Sequence, residues 1–76
     1  MDKIIGILNE IRPEFNFETS EDFIEDGYLD SFDLVTLVSE LDSTFGISID
    51  GLDIIPENFI SVKAIAEMVK KNGGNI

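Results

Sequence analysis

From Ser31 to Phe45 apolar residues recur at Leu34, Leu37, Val38, Leu41 and Phe45. At about 100° per residue these five fall within an arc of roughly 100°, the stripe that a helix buries against a core. The spacing predicts a second helix over Ser31–Phe45. Gly46 follows as the residue that closes it.

The neighbouring segments give the rest of the outline. A first helix is expected from about Asp2 to Arg12, with Ile4, Ile7, Leu8 and Ile11 on one face, Asp2 as N-cap and Pro13 as the stop. From Glu14 to Asp30 no period is sustained. Phe15, Phe17, Phe23, Ile24, Tyr28 and Leu29 are scattered among acids and hydroxyls, and several of them are expected to tuck under the helices. Gly27 suits a turn before the next element. Ile47-Ser48-Ile49 alternates like a strand but has no partner strand, so it reads as extended loop. Pro56–Phe59 predicts one short helical turn with Pro at its first position. Ser61 caps a last helix running to about Asn72, with Val62, Ile65, Ala66 and Val69 on one face. Lys70 and Lys71 suit the dipole of its last turn. The expected fold is all-α: a small bundle of three main helices plus one short helix, in a single domain over 1–76 with mobile termini at 1–2 and 73–76.

Composition narrows the chemistry. The 76 residues include no Cys, His or Trp. Zinc sites built from Cys or His, thiol nucleophiles and Ser-His or Cys-His pairs are therefore excluded. The net charge is -11, from 16 acidic and 5 basic residues, which disfavours nucleic acid and anionic membranes and favours basic surfaces. The apolar fraction of 43% is too high for an acidic disordered tail. No apolar stretch is long enough for a membrane span, and no secretory signal is recognisable. A cytoplasmic monomer without catalytic residues or metal is expected.

One residue stands out at the start of the second helix. Asp30 reads as its N-cap, and Asp33, three residues on, can reach back as in a capping box. Ser31 then occupies the first helical position, pointing away from the centre of the core stripe. A phosphate attached there would meet a positive dipole end and free amides, with the neighbouring carboxylates opposing it. The same wheel puts Phe32, Val35, Thr36, Ser39 and Ser43 opposite the stripe or on its flank, with Asp33 and Glu40 together on an adjacent edge. An apolar patch with an acidic border suits transient docking to basic, grooved partners.

The arrangement resembles the acyl carrier protein family. The matching residues are Gly27-Tyr28-Leu29-Asp30-Ser31-Phe32, the apolar ladder through Leu34, Val38 and Leu41, Phe45-Gly46-Ile47, Asp53-Ile54-Ile55-Pro56-Glu57-Asn58-Phe59 and Ser61-Val62-Lys63-Ala64-Ile65. The resemblance covers nearly the whole chain and is weakest before Phe23. It implies that Ser31 carries 4′-phosphopantetheine, covalently installed from coenzyme A by a phosphopantetheinyl transferase. Asp30 would cap the helix beside it. The arm's thiol would hold acyl or aminoacyl groups as thioesters. A loading ligase and an acceptor transferase or synthase with basic surfaces would dock through Phe32, Asp33, Val35, Thr36, Ser39, Glu40 and Asp42. Carriers of fatty acid synthesis usually have several glutamates along this helix, whereas Thr36, Ser43 and Thr44 stand here, with Asp42 retained. Phe32 directly after Ser31 is more similar to D-alanyl carrier proteins and other stand-alone aminoacyl or specialised acyl carriers.

The competing reading is an unmodified acidic helical module that binds partners through its surface. A calcium sensor is disfavoured, because no segment supplies the alternating ligands, central glycine and terminal glutamate of an EF-hand loop. A serine hydrolase is disfavoured by the missing histidine and the absence of a glycine-rich elbow around Ser31.

Overall fold

The computed structural model describes residues 2–75 and, at Asp2, the backbone alone. The cap expected of Asp2 and the ends at Met1 and Ile76 lie outside the described residues. Three α-helices form: α1 (Asp2–Ile11), α2 (Ser31–Phe45) and α3 (Val62–Lys71). Two 3-10 turns, Gly51–Asp53 and Pro56–Phe59, lie between α2 and α3. No strand occurs among the described residues. The architecture is a small all-helical bundle.

Each helix ends where the local chemistry stops it. The amide of Arg12 still donates to the Leu8 carbonyl at 2.9 Å, but Pro13 has no N–H to continue α1. Gly46 adopts φ 65° and its N–H donates to the Asp42 carbonyl, so α2 closes on a left-handed residue that has no Cβ to strain. Ser61 accepts the Ala64 amide at 3.1 Å and starts α3. Removing that hydroxyl should cost about 1 kcal/mol. Beyond α3, the amides of Gly73 and Gly74 donate to the carbonyls of Lys70 and Val69.

The short element at Pro56–Phe59 is a 3-10 turn rather than α-helix. Four residues cannot sustain an α-helical ladder. The turn is held instead by the Asn58 amide on the Ile55 carbonyl (3.0 Å) and by the Asn58 side chain on the Asp53 carbonyl (2.7 Å).

Nine side chains form the innermost core: Ile4 and Leu8 of α1, Leu37 and Leu41 of α2, Ile65 and Val69 of α3, with Phe17, Phe23 and Phe59. The expected stripe of α2 therefore faces inward, with Val38 and Phe45 at its half-buried edges. α1 packs against both α2 and α3, and α3 packs against the second 3-10 turn. The radius of gyration is 11.0 Å, close to the roughly 11 Å expected of a folded chain this long.

The connection from Pro13 to Asp30 contains no helix, yet it is anchored. Phe15 and Tyr28 stack with centroids 4.4 Å apart and planes 5° from parallel. Phe17 meets Phe15, Phe23 and Tyr28 edge-on. Such pairs add roughly 0.5–1.5 kcal/mol each beyond their buried area. The Phe23 amide donates to the Ile60 carbonyl at 2.7 Å, which fastens the connection to the segment before α3. Gly27, at φ 75°, reverses the chain, and the Tyr28 amide then donates back to the Phe23 carbonyl. The connection thus delivers Leu29 into the core and Asp30 to the mouth of α2.

Candidate functional site

The N-terminal end of α2 is built as a reciprocal cap. The Asp30 carboxylate accepts the Asp33 amide at 3.0 Å, and the Asp33 carboxylate accepts the Asp30 amide at 3.1 Å. Both halves of the capping box expected from the spacing are present. Because Asp30 does the capping, Ser31 sits as the first residue of α2 with its side chain exposed.

Arg12 completes this end, and nothing in the sequence pattern points to it. Its Nε donates to Asp33 Oδ2 at 2.9 Å, and Nη2 lies 2.9 Å from the same oxygen. Nη2 also reaches Asp30 Oδ2 at 3.5 Å, and Nη1 reaches Glu14 at 3.5 Å. One guanidinium thus joins the end of α1 to both carboxylates of the cap. The Asp33 amide, followed by the Phe32 amide and the Arg12 charge, holds the Asp30 carboxyl below the ordinary aspartate range. The Asp33 hydrogen bond and charge raise the already high pKa of Arg12 further.

The remaining candidate residues divide into two sets. Phe32 is 83% exposed and Val35 68% exposed, so neither covers a core edge. Thr36, Ser39 and Glu40 are exposed beside them, and Thr36 Oγ1 donates to the Phe32 carbonyl at 3.3 Å. Together these five form one outward face of α2. Asp33 and Asp42 do not belong to it. Asp33 is only 8% exposed, because Arg12, 21 residues earlier, supplies the charge that permits its burial. On the edge it shares with Glu40, Asp33 is a buried carboxylate paired with Arg12, while Glu40 is exposed. Asp42 is half-buried, and its Oδ1 accepts the Ile49 amide at 2.9 Å. Its carbonyl accepts the Ile47 amide, so Asp42 organises the chain leaving α2.

A second polar cluster lies at the end of α3. Asp53, 8% exposed, accepts Lys71 Nζ at 2.8 Å and the Asn72 side-chain amide at 3.1 Å. These bonds, Lys71 first, lower the Asp53 pKa, and the Asp53 bond in turn raises that of Lys71. A cleft of about 310 Å³ opens beside this cluster, lined by Glu57, Glu67 and Met68 among others, and none of its lining residues belongs to α2. Leu52, adjacent to Asp53, is 85% exposed.

Among the described residues no group of three or more acidic side chains converges as a metal site. No helix among them is long and apolar enough to cross a membrane. Comparison with family models, curated proteins and solved structures returns no match for this chain.

Proposed function

We propose that this protein is an acyl carrier, modified on Ser31 with 4′-phosphopantetheine and presenting acyl or aminoacyl thioesters to partner enzymes. One observation supports the reading above the others. A serine at the first position of α2 is exposed while an adjacent aspartate performs the capping that serine would otherwise do. The residues around Ser31 fit such an arm. The hydroxyl is accessible, the flanking Phe32 and Val35 are exposed, and the two nearest carboxylates are bonded to Arg12. The small all-helical bundle is compatible with the carrier-like fold that the resemblance implies.

The chain needs no base of its own for this modification. Ser31 Oγ attacks the pantetheine-bearing phosphorus of coenzyme A, and a new O–P bond forms. The P–O bond to the 3′-phosphorylated nucleotide breaks, and the leaving phosphate takes the electron pair. The hydroxyl proton passes to a base of the transferase. When bound, the arm supplies the thiol that a cysteine-free chain lacks. The chain's own residues then set position and recognition. Asp30 and Asp33 fix the helix end, while Phe32, Val35, Thr36, Ser39 and Glu40 offer a docking face to the loading ligase and the acceptor enzyme. A net charge of -11 draws basic partner surfaces to that face. The cargo class that fits Phe32 beside Ser31 is the aminoacyl or specialised acyl group of stand-alone carriers.

Intact mass after incubation with coenzyme A and a phosphopantetheinyl transferase tests the reading. Wild-type protein should gain one phosphopantetheine equivalent, and Ser31→Ala should gain none while keeping the helical circular dichroism of the wild type. No gain with several transferases, or a label on another residue, overturns it. The exposed Phe32 and Val35 also favour the reading in which α2 docks partners without any modification. In that case Ser31→Ala retains full partner binding and biological activity.

A further inference from the structure

One cation stands among the carboxylates at the end of α2 that carries Ser31. Asp30, Asp33 and Glu14 bring three carboxylates to this end of the molecule, all within 3.5 Å of one guanidinium. Of the five basic residues, Arg12 alone pairs with the acids of α2 among the described residues, whereas Lys71 is paired with Asp53 and Lys3 lies 5.8 Å from the Phe45 ring. Arg12 stands at the C-terminal end of α1, where its charge is favourable in its own right.

We infer that Arg12 is a positioning residue for the modification of Ser31: it ties the start of α2 to α1 and offsets the carboxylates there, so that an anionic phosphoryl donor can approach the hydroxyl. This rests on the carrier reading. The donor, a pyrophosphate diester, is negatively charged before and during transfer, and the diester left on Ser31 is negative as well. Without Arg12 that charge meets the carboxylates of Asp30 and Asp33, on the preceding residue and two residues beyond, with no cation among them. Interactions between unit charges several ångströms apart near a surface are strong enough to change a rate severalfold. The guanidinium shares Asp33 Oδ2 with the Asp30 amide, so the residue that balances charge also holds the cap in register.

The prediction separates charge from geometry. Arg12→Gln should lower kcat/KM for loading from coenzyme A by about fivefold at low ionic strength. The deficit should shrink to within about twofold at about 0.5 M salt, where the Debye length falls to roughly 4 Å. Arg12→Lys, which keeps the charge, should load within about twofold of wild type. The double variant Arg12→Gln/Asp33→Asn removes one charge of each sign and should recover most of the loss. Backbone amide resonances of Asp30 to Asp33 in the unloaded proteins report whether the first turn of α2 is intact.

Arg12→Gln loading at the wild-type rate or faster overturns the inference. So does a loss that is indifferent to salt and is not recovered in the double variant, since that marks a purely structural contact. In both cases wild-type loading is intact, and the carrier reading stands. Failure of the wild type itself to load overturns the carrier reading and this inference together.

Discussion

Two buried aspartates among the described residues use one device for different ends. Asp33 at the start of α2 and Asp53 before α3 are each 8% exposed, and each is bonded to a basic residue from a distant part of the chain. Around Asp53 the polar partners are consumed in closure. Lys71 and Asn72 hold its carboxylate, Asn58 holds its carbonyl, and the Asp50 amide donates to the Asn72 side chain. Around Asp33 the bonds likewise close a helix end, but the residue beside them, Ser31, is left outside the network, next to an exposed Phe32. A buried ion pair is weak grounds for a functional site, since such pairs often serve only to satisfy each other. What distinguishes the α2 end is the exposed hydroxyl that the clasp supports.

The largest test of this contrast lies in the shared core. Leu37→Asp places a charge where wild-type Leu37 is fully buried, and it should abolish cooperative unfolding and loading alike, as read by circular dichroism and intact mass. Next comes Asp53→Asn, which leaves Lys71 without its carboxylate. It should lower the melting temperature while leaving Ser31 loading at the wild-type rate in folded protein. A loading defect there would erase the distinction between the two clasps. Phe32→Glu should have the reverse profile, with melting unchanged within error and thioester transfer to the acceptor enzyme weakened severalfold. Normal loading and transfer would remove Phe32 from the docking face. The smallest effect is acid sensitivity. Asp30 and Asp53 both have depressed pKa values in the folded state, so their stabilisation is present above the unfolded aspartate value of about 4 and is lost as pH falls through the folded values. Denaturant midpoints should therefore fall between pH 5 and pH 3, and less steeply in Asp53→Asn.

The helices were legible because their signals are local. The stripe of α2, the cap at Asp30 and the glycine stop at Gly46 all lie within one run of residues, and the observed helix has the expected ends. α1 and α3 stop one residue before Arg12 and Asn72, whose amides still donate to the Leu8 and Met68 carbonyls. The 3-10 turn at Gly51–Asp53 was not expected. Its Asp50 cap, which bonds the Leu52 amide, leaves no helical period to detect in three residues. Arg12 and Lys71 escaped because their partners lie 21 and 18 positions away. A helical wheel places Asp33 by angle alone and takes no account of a cation arriving from another helix, so it assigned a buried acid to the surface. The aromatic residues of the connection were expected to tuck in. Which of them would do so depended on ring packing that no spacing encodes.

The stacking of Tyr28 on Phe15 has a practical consequence. Tyr28 is the single tyrosine and there is no tryptophan, so the tyrosine emission of this protein comes from one ring, three residues before Ser31. Loosening of that segment can be followed optically, apart from the far-ultraviolet signal of the three helices, with no label introduced.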